Sequence, residues 1–166
     1  PTWYEGEKYQ CLPYPSYTKM MENMLEGINV RLGVTDDDWR SLNADYTVYT
    51  GKIDEFYNYR FGKLPYRTLD FDLKINTTRL ENPVLNYTQK VRPYTRVVDY
   101  GYFTYNYDKE ETVVAVEYPR AYEKETDIPY YPIPFGEGTE IYNKYKELAD
   151  KEKDTIFVGR LATYKY

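Results

Sequence analysis

The sequence contains no histidine, and a single cysteine, among its 166 residues. Without histidine there is no Ser-His-Asp or Cys-His nucleophile scheme, and the commonest general base and commonest metal ligand are both missing. Cys11 alone can form neither an internal disulfide nor a zinc site, which fits a reducing compartment better than a disulfide-stapled secreted domain. No stretch approaches the roughly 18 consecutive apolar residues of a membrane span, and no signal-like run is present. A soluble, cytoplasmic chain is therefore expected. Positive charge is also scarce, with 22 Lys and Arg against 27 Asp and Glu and a net charge of -5. That balance offers no broad field to attract nucleic acid or an anionic membrane. Chemistry is left to tyrosine, arginine, lysine and the carboxylates.

What is abundant is tyrosine, 23 residues of it, within a 42% hydrophobic composition that suffices for a real core. The aromatic, proline-punctuated residues 1 to 15 show no period and are expected to be loop. Ser16 can cap a helix in which Tyr17, Met20, Met21, Met24 and Leu25 repeat at helical spacing as a core stripe, with Gly27 as its stop. Ile28, Val30 and Leu32 alternate with Asn29, Arg31 and Gly33, a strand pattern. Asp36 to Leu42 reads as a short helix with acids near its N-terminus, and Tyr46 to Thr50 as a second strand. From Arg67 onward Leu69, Phe71, Leu73 and Ile75 alternate with Asp70, Asp72, Lys74 and Asn76. This is the pattern of a half-buried antiparallel strand with the apolar set inward. Val84 to Thr88, Thr95 to Thr104 and Thr112 to Tyr118 continue the meander, with breaks at Asn82-Pro83 and at residues 106 to 110. The linker YYPIPFGEG leads to Thr139, a plausible cap for a helix striped by Ile141, Tyr142, Tyr145, Leu148 and Ala149. Thr155 to Val158 then closes as a short buried strand. The fold class expected is α+β, an antiparallel meander inserted between helix-strand units.

Several chemical motifs are weak. Asp70 and Asp72 share a strand face about 7 Å apart, which could suit glycoside hydrolysis but is also what a solvated face looks like. Gly136-Glu137-Gly138 fails the G-x-G-x-x-G pattern because Ile141 stands where the third glycine would be and no strand precedes it. The Asn76 and Asn86 sequons lack a secretory context. The basic-aromatic clusters carry more. In YTGKIDEFYNYRFGKLPYR (residues 49 to 67) Arg60 and Arg67 flank Phe61, Pro65 and Tyr66, and in PYTRVVDY (residues 93 to 100) Arg96 follows Tyr94. Guanidinium forks bind phosphate bidentately, and tyrosines add a flat face and a hydroxyl donor. An anionic sugar or nucleotide ligand suits that mixture, and so do arginines that simply pair with carboxylates in a tyrosine-rich sheet.

These two blocks, together with KYQCLP, IPYYPIP and FVGRLATYKY, resemble the UDP-galactopyranose mutases, in the order that family carries them and across nearly the whole chain. The resemblance implies an incomplete FAD-binding, Rossmann-like domain interrupted by the sheet, with residues 1-62 as the end of a helical region plus helix-strand part of the FAD domain. Residues 63-134 would be the antiparallel sheet domain, and 135-166 the return helix and strand. It implies an isomerase that interconverts UDP-galactopyranose and UDP-galactofuranose, with N5 of reduced FAD attacking the anomeric carbon as UDP leaves. No side-chain nucleophile is then required. It also implies roles for particular residues: Arg96 on the diphosphate as the catalytic arginine, Tyr9, Tyr131 and Tyr166 as hydroxyl donors to the same phosphates with Tyr130 a near-equal choice to Tyr131, Asn86 facing sugar or flavin, and Arg67 and Arg160 contacting FAD. Arg60 is expected to be structural.

Two departures from the family pattern stand out, Lys52 in place of a usual proline and Tyr100-Gly101-Tyr102 in place of a run containing His and Lys. The family's second catalytic arginine would lie upstream of Pro1, and no Gly-rich turn is present to seat FAD's pyrophosphate, so the chain by itself is expected to be inactive. The partners implied are the two nucleotide sugars, with a homo-oligomer compatible and no nucleic acid or membrane span. A non-catalytic nucleotide-sugar or carbohydrate binding module is the rival from another class.

Overall fold

In a computed structural model, the structure describes residues 6, 8–105, 110–124 and 126–165. The described elements are, in chain order, α1 (Tyr17–Met24), α2 (Asp36–Arg40), β1 (Thr47–Tyr49), α3 (Ile53–Phe56), β2 (Tyr66–Asn76), β3 (Val84–Asn86), β4 (Arg96–Asp99), a 3-10 turn (Tyr100–Phe103), β5 (Thr112–Ala121), β6 (Tyr131–Pro132), α4 (Glu137–Ala149), β7 (Thr155–Phe157) and α5 (Gly159–Ala162). This is an α+β arrangement with an antiparallel sheet of order β3-β4-β5-β2-β6 and a parallel pair β1-β7. The chain divides into two compact units, one of residues 1–34 and 71–117, the other of residues 35–70 and 118–166.

In the first unit, α1 begins where the sequence places it, with the Ser16 hydroxyl accepting from the Lys19 amide at 3.1 Å. Its methionine stripe is not core, however: Met20, Met21 and Met24 are all exposed, and no residue of α1 is buried. Ile28, Val30 and Leu32 form no strand and are exposed, Leu32 by 90%. Alternation marks a segment able to pair, but a strand forms only where a neighbour supplies the hydrogen bonds. The inward face assigned to β2 is left uncovered over most of its length, as is the opposite face at Asp70 and Lys74. Tyr66 and Thr68 are buried while Leu73 and Ile75 are 62% and 72% exposed. Period-2 patterning fixes which residues share a face but not which face is covered.

The strand expected over 95 to 104 stops at Asp99, whose carboxylate turns the chain. Its Oδ1 accepts from the Gly101 amide at 3.0 Å and from the Thr112 hydroxyl, and its Oδ2 accepts from the Leu80 amide at 3.0 Å. Burial opposes ionisation of Asp99, but these donors and the nearby Arg79 outweigh it and hold the carboxyl below its ordinary range.

The second unit has a core of Ile53, Leu64, Tyr66, Tyr145 and Tyr164, packed by Tyr57, Phe61, Tyr122, Tyr142 and Phe157. Full burial of an aliphatic side chain such as Ile53 or Leu64 stabilises by about 1.5–3 kcal/mol. The tyrosines must in addition satisfy their hydroxyls. Tyr145 donates to the Gly62 carbonyl at 2.7 Å and accepts from the Phe61 amide at 2.9 Å, and so fixes the turn leading into β2. Helix α4 carries the expected stripe, with Tyr145 buried and Ile141, Tyr142, Leu148 and Ala149 half-buried. It starts two residues before Thr139, because Gly136 at φ 58° serves as its cap. Gly138 then lies so close to Ile133 that an added Cβ would be 2.6 Å from the Ile133 carbonyl oxygen. The GEG segment is thus a helix start built on two glycines, not a simple linker. The strand over 155 to 158 is present as β7 but not buried throughout, since Ile156 and Val158 are exposed.

Replacing Tyr145 with Phe removes two part-buried hydrogen bonds, to the Phe61 amide and the Gly62 carbonyl, and the urea-unfolding free energy is expected to fall by about 1–2 kcal/mol. An unchanged midpoint would show that the hydroxyl does not hold the 61–62 turn. Asp99, whose folded pKa is depressed, contributes stability that is present above the unfolded value of about 3.9 and lost as pH falls through the folded one. The stability gap between wild type and Asp99→Asn should therefore be full near pH 6 and shrink below about pH 4. A gap independent of pH in denaturant titrations would contradict this sign.

Candidate functional site

The antiparallel ladder of the first unit places three polar side chains in one row. Asn86 on β3 is the register partner of Arg96 on β4, and Arg96 is the register partner of Glu117 on β5. One row deeper the partners are Val84, Val98 and Ala115, which form an apolar floor on the same face. The Arg96 Nε donates to Asn86 Oδ1 at 3.0 Å, and its Nη1 lies 3.6 Å from Glu117 Oε2. The Arg96 side chain is 42% exposed while that of Glu117 is 10% exposed, so the guanidinium is anchored from below and presented outward. At that exposure the ion pair adds little stability, and its effect is on orientation. Of the five N–H donors of arginine, those on Nη2 are engaged by neither of these two partners.

This row lies on the wall of a cleft of about 1480 Å³ whose lining includes Tyr14, Tyr17, Phe103 and Tyr105. Tyr14 and Tyr105 meet edge to face at 5.1 Å, and the Tyr105 hydroxyl donates to the Leu12 carbonyl at 2.7 Å, which ties the segment before α1 to the sheet unit. An anion-holding guanidinium beside flat aromatic walls and amide and carboxylate groups suits a ligand that is part phosphate and part sugar or base.

Sequence reasoning singled out Arg96 and Asn86, and the structure brings them together. Glu117 and the aromatic walls were not singled out. The signal for Glu117 was a lone carboxylate in the β-branched run TVVAVEY, where the alternation places it on the face of Ala115. Tyr14 and Tyr17 were read as loop and helix stripe, because nothing local distinguishes a wall residue from either. Tyr9 is exposed, with the Lys8 ammonium 5.1 Å from its ring centroid, and is not among the residues lining this cleft.

The second unit gathers three other predicted residues. Arg67 on β2 is the register partner of Tyr131 on β6, and the Arg160 guanidinium of α5 lies over the Tyr131 ring at 5.3 Å from its centroid. The Tyr130 amide donates to the Arg67 carbonyl at 2.9 Å, so Tyr130 takes part in this ladder through its backbone, with its ring 6.2 Å from that of Tyr131. Beneath them the Tyr164 hydroxyl donates to the Pro65 carbonyl at 2.6 Å and accepts from the Ile133 amide at 3.3 Å. Burial pushes its pKa up to about 12, so it keeps its proton. Arg67 and Arg160 thus both neighbour Tyr131, Arg67 by strand register and Arg160 by its guanidinium over the ring. Tyr166 lies outside the described residues. Arg60 lies over the Phe61 ring at 5.8 Å. Among the described residues no group of acidic or cysteine side chains could hold a metal ion, and no helix is long and apolar enough to cross a membrane.

The profile of the family described as UDP-galactopyranose mutase matches residues 2–166. Among curated proteins the chain is similar to a probable UDP-galactopyranose mutase of Klebsiella pneumoniae, at 37% identity over 98% of this chain and 43% of the relative. It is similar at 36% identity to a dTDP-fucopyranose mutase of Escherichia coli, over 98% of this chain and 46% of the relative. A UDP-galactopyranose mutase of Mycoplasma genitalium is 34% identical over 95% of this chain and 43% of the relative. The chain thus spans less than half the length of these relatives, and over that span it belongs to the UDP-galactopyranose mutase family.

Proposed function

We propose that the protein to which this chain belongs is an isomerase that interconverts UDP-galactopyranose and UDP-galactofuranose, with the cleft of the first unit holding the diphosphate. The observation that carries this reading is the row of Asn86, Arg96 and Glu117 on the cleft wall. A diphosphate that departs from the anomeric carbon and returns to it must stay in place while the ring opens and closes. Arg96, clamped on two sides, would hold that charge with little reorganisation. Asn86 and Glu117 act as positioning residues for the guanidinium, and Tyr14, Tyr17 and Tyr105 offer flat surfaces to the sugar. Tyr9, in the same unit, is a further candidate for a hydroxyl donor.

Reduced FAD, when bound, supplies the electron pair that the anomeric carbon takes as UDP departs. Arg67 and Arg160 are the residues of this chain that would hold FAD, Arg67 as the register partner of Tyr131 and Arg160 with its guanidinium over the Tyr131 ring. Near-equal identity to a dTDP-fucopyranose mutase supports a second reading in which the substrate is a dTDP-linked 6-deoxy sugar. Comparing kcat/KM for the two sugar nucleotides decides between them.

In the full-length protein, Arg96→Ala is expected to lower kcat/KM by about 10- to 100-fold, the equivalent of one charge-assisted hydrogen bond at about 1.5–3 kcal/mol. Arg96→Lys should recover little, since a point charge cannot copy the fork. Turnover by Arg96→Ala within twofold of wild type would remove this residue from the mechanism. The same assay run on the 166-residue chain alone should give no product, because the chain has no G-x-G-x-x-G turn to seat a pyrophosphate at a helix N-terminus. Flavin-dependent isomerisation by the isolated chain would refute that expectation.

A further inference from the structure

Lys52, the residue that departs from the family's usual proline, is buried in the second unit beside a small cavity. Its ammonium donates to the Tyr122 hydroxyl at 3.0 Å and to the Tyr59 hydroxyl at 3.3 Å, and pairs with Glu55 at 3.4 Å. Burial opposes its charge, but the two hydroxyls and Glu55 outweigh burial and raise its pKa, so it remains a charged donor. Each tyrosine oxygen that accepts from Lys52 must turn its own proton elsewhere. Among the described residues neither hydroxyl proton has an acceptor. Burial also raises the Tyr59 pKa, against the pull of Lys52, so that proton is retained.

Both hydroxyls line a cavity of about 60 Å³, shared with Lys63 and Lys124. Glu123 and Asp54 line it too, but the Asp54 carboxylate is engaged by the Leu64 amide at 2.9 Å and the Tyr66 hydroxyl at 3.4 Å. The Lys63 ammonium lies over the Tyr59 ring at 5.1 Å from its centroid. Tyr59 reaches this position from a left-handed backbone, φ 55°, next to Asn58 at φ 51°. That conformation costs a non-glycine residue about 1–2 kcal/mol and persists only where the surroundings enforce it. At roughly 30 Å³ per water, the space suits about two waters or one small oxyanion. It is far below the 300 Å³ or so of a nucleotide-sized pocket.

We propose that this cavity is an oxyanion site that takes free inorganic phosphate or sulfate on the two hydroxyl protons of Tyr59 and Tyr122, with Lys63 and Lys124 supplying countercharge. Lys52 acts from behind, as the group that fixes both hydroxyls with their protons toward the cavity. Titration calorimetry of the full-length protein with sodium phosphate, against sodium chloride at matched ionic strength, tests it. An Arg96→Ala background keeps the substrate cleft from contributing. A saturable, phosphate-specific isotherm is expected in that background, weakened about tenfold by Tyr59→Phe and likewise by Tyr122→Phe. The two changes lie on different segments and remove no buried carbon, so at least one folded variant should be available. The proposal is overturned if phosphate binds no better than chloride, or if its affinity is unchanged in a folded Tyr59→Phe or Tyr122→Phe variant.

Discussion

A core built from tyrosine has to find a hydrogen-bond partner for every hydroxyl it buries, and the second unit depends on that constraint. Tyr164 meets it at Pro65 and Ile133, Tyr145 at Phe61 and Gly62, and Tyr66 at Asp54. Each bond is worth only about 0.5–1.5 kcal/mol net, but leaving its partner unpaired costs more. These rings therefore act less as adhesive than as pins that set where loops enter strands. The Tyr164 pin holds together Pro65 and Ile133, the residues next to the register pair Tyr66 and Pro132, and through them the register of Arg67 against Tyr131. Asp54 completes the set. Burial lifts its carboxyl above the ordinary range, while the Leu64 amide and the Lys52 ammonium pull it down.

In the first unit the corresponding constraint is strand register. A one-residue slip of β4 would carry Arg96 to the opposite face and bring Thr95 or Val97 to the cleft. The pairs Asn86 with Arg96 and Arg96 with Glu117 resist such a slip, because it would leave the buried Glu117 carboxylate without its cation. Orientation of the guanidinium and register of the sheet are therefore one property. The Asp99 cap fixes the end of the same strand, and the 3-10 turn it starts delivers Phe103, Thr104 and Tyr105 to the cleft.

Much of this organisation was legible in the sequence where local rules decide it. Ser16 capped its helix, Tyr145 and its neighbours striped α4, and the run from Arg67 to Asn76 was a strand. Legibility failed where an outcome depends on what lies opposite. Alternation could not say whether Leu73 and Ile75 are covered, nor whether Ile28, Val30 and Leu32 find a strand to pair with. The start of α4 was missed because Thr139 is a good cap by type, whereas Gly136 works through backbone conformation, which composition does not reveal. For the candidate site, motif resemblance located Arg96 and Asn86. Glu117 needed the register of three strands, a non-local quantity that one segment cannot supply.

The two departures from the family pattern make sense at the same level. A glycine at 101 lies against the Arg79 guanidinium and the Thr112 hydroxyl, so tightly that no Cβ could be added without displacing one of them. Arg79 in turn helps keep Asp99 charged, and Thr112 donates to it. The identity of residue 101 is thus coupled to the cap that ends β4, a few residues from Arg96. Lys52 is coupled in the same way to Tyr59 and Tyr122, whose hydroxyls accept from its buried ammonium and help raise its pKa. A substitution at either place alone would strip partners from groups that are already desolvated, so its cost depends on the neighbours that pair with it.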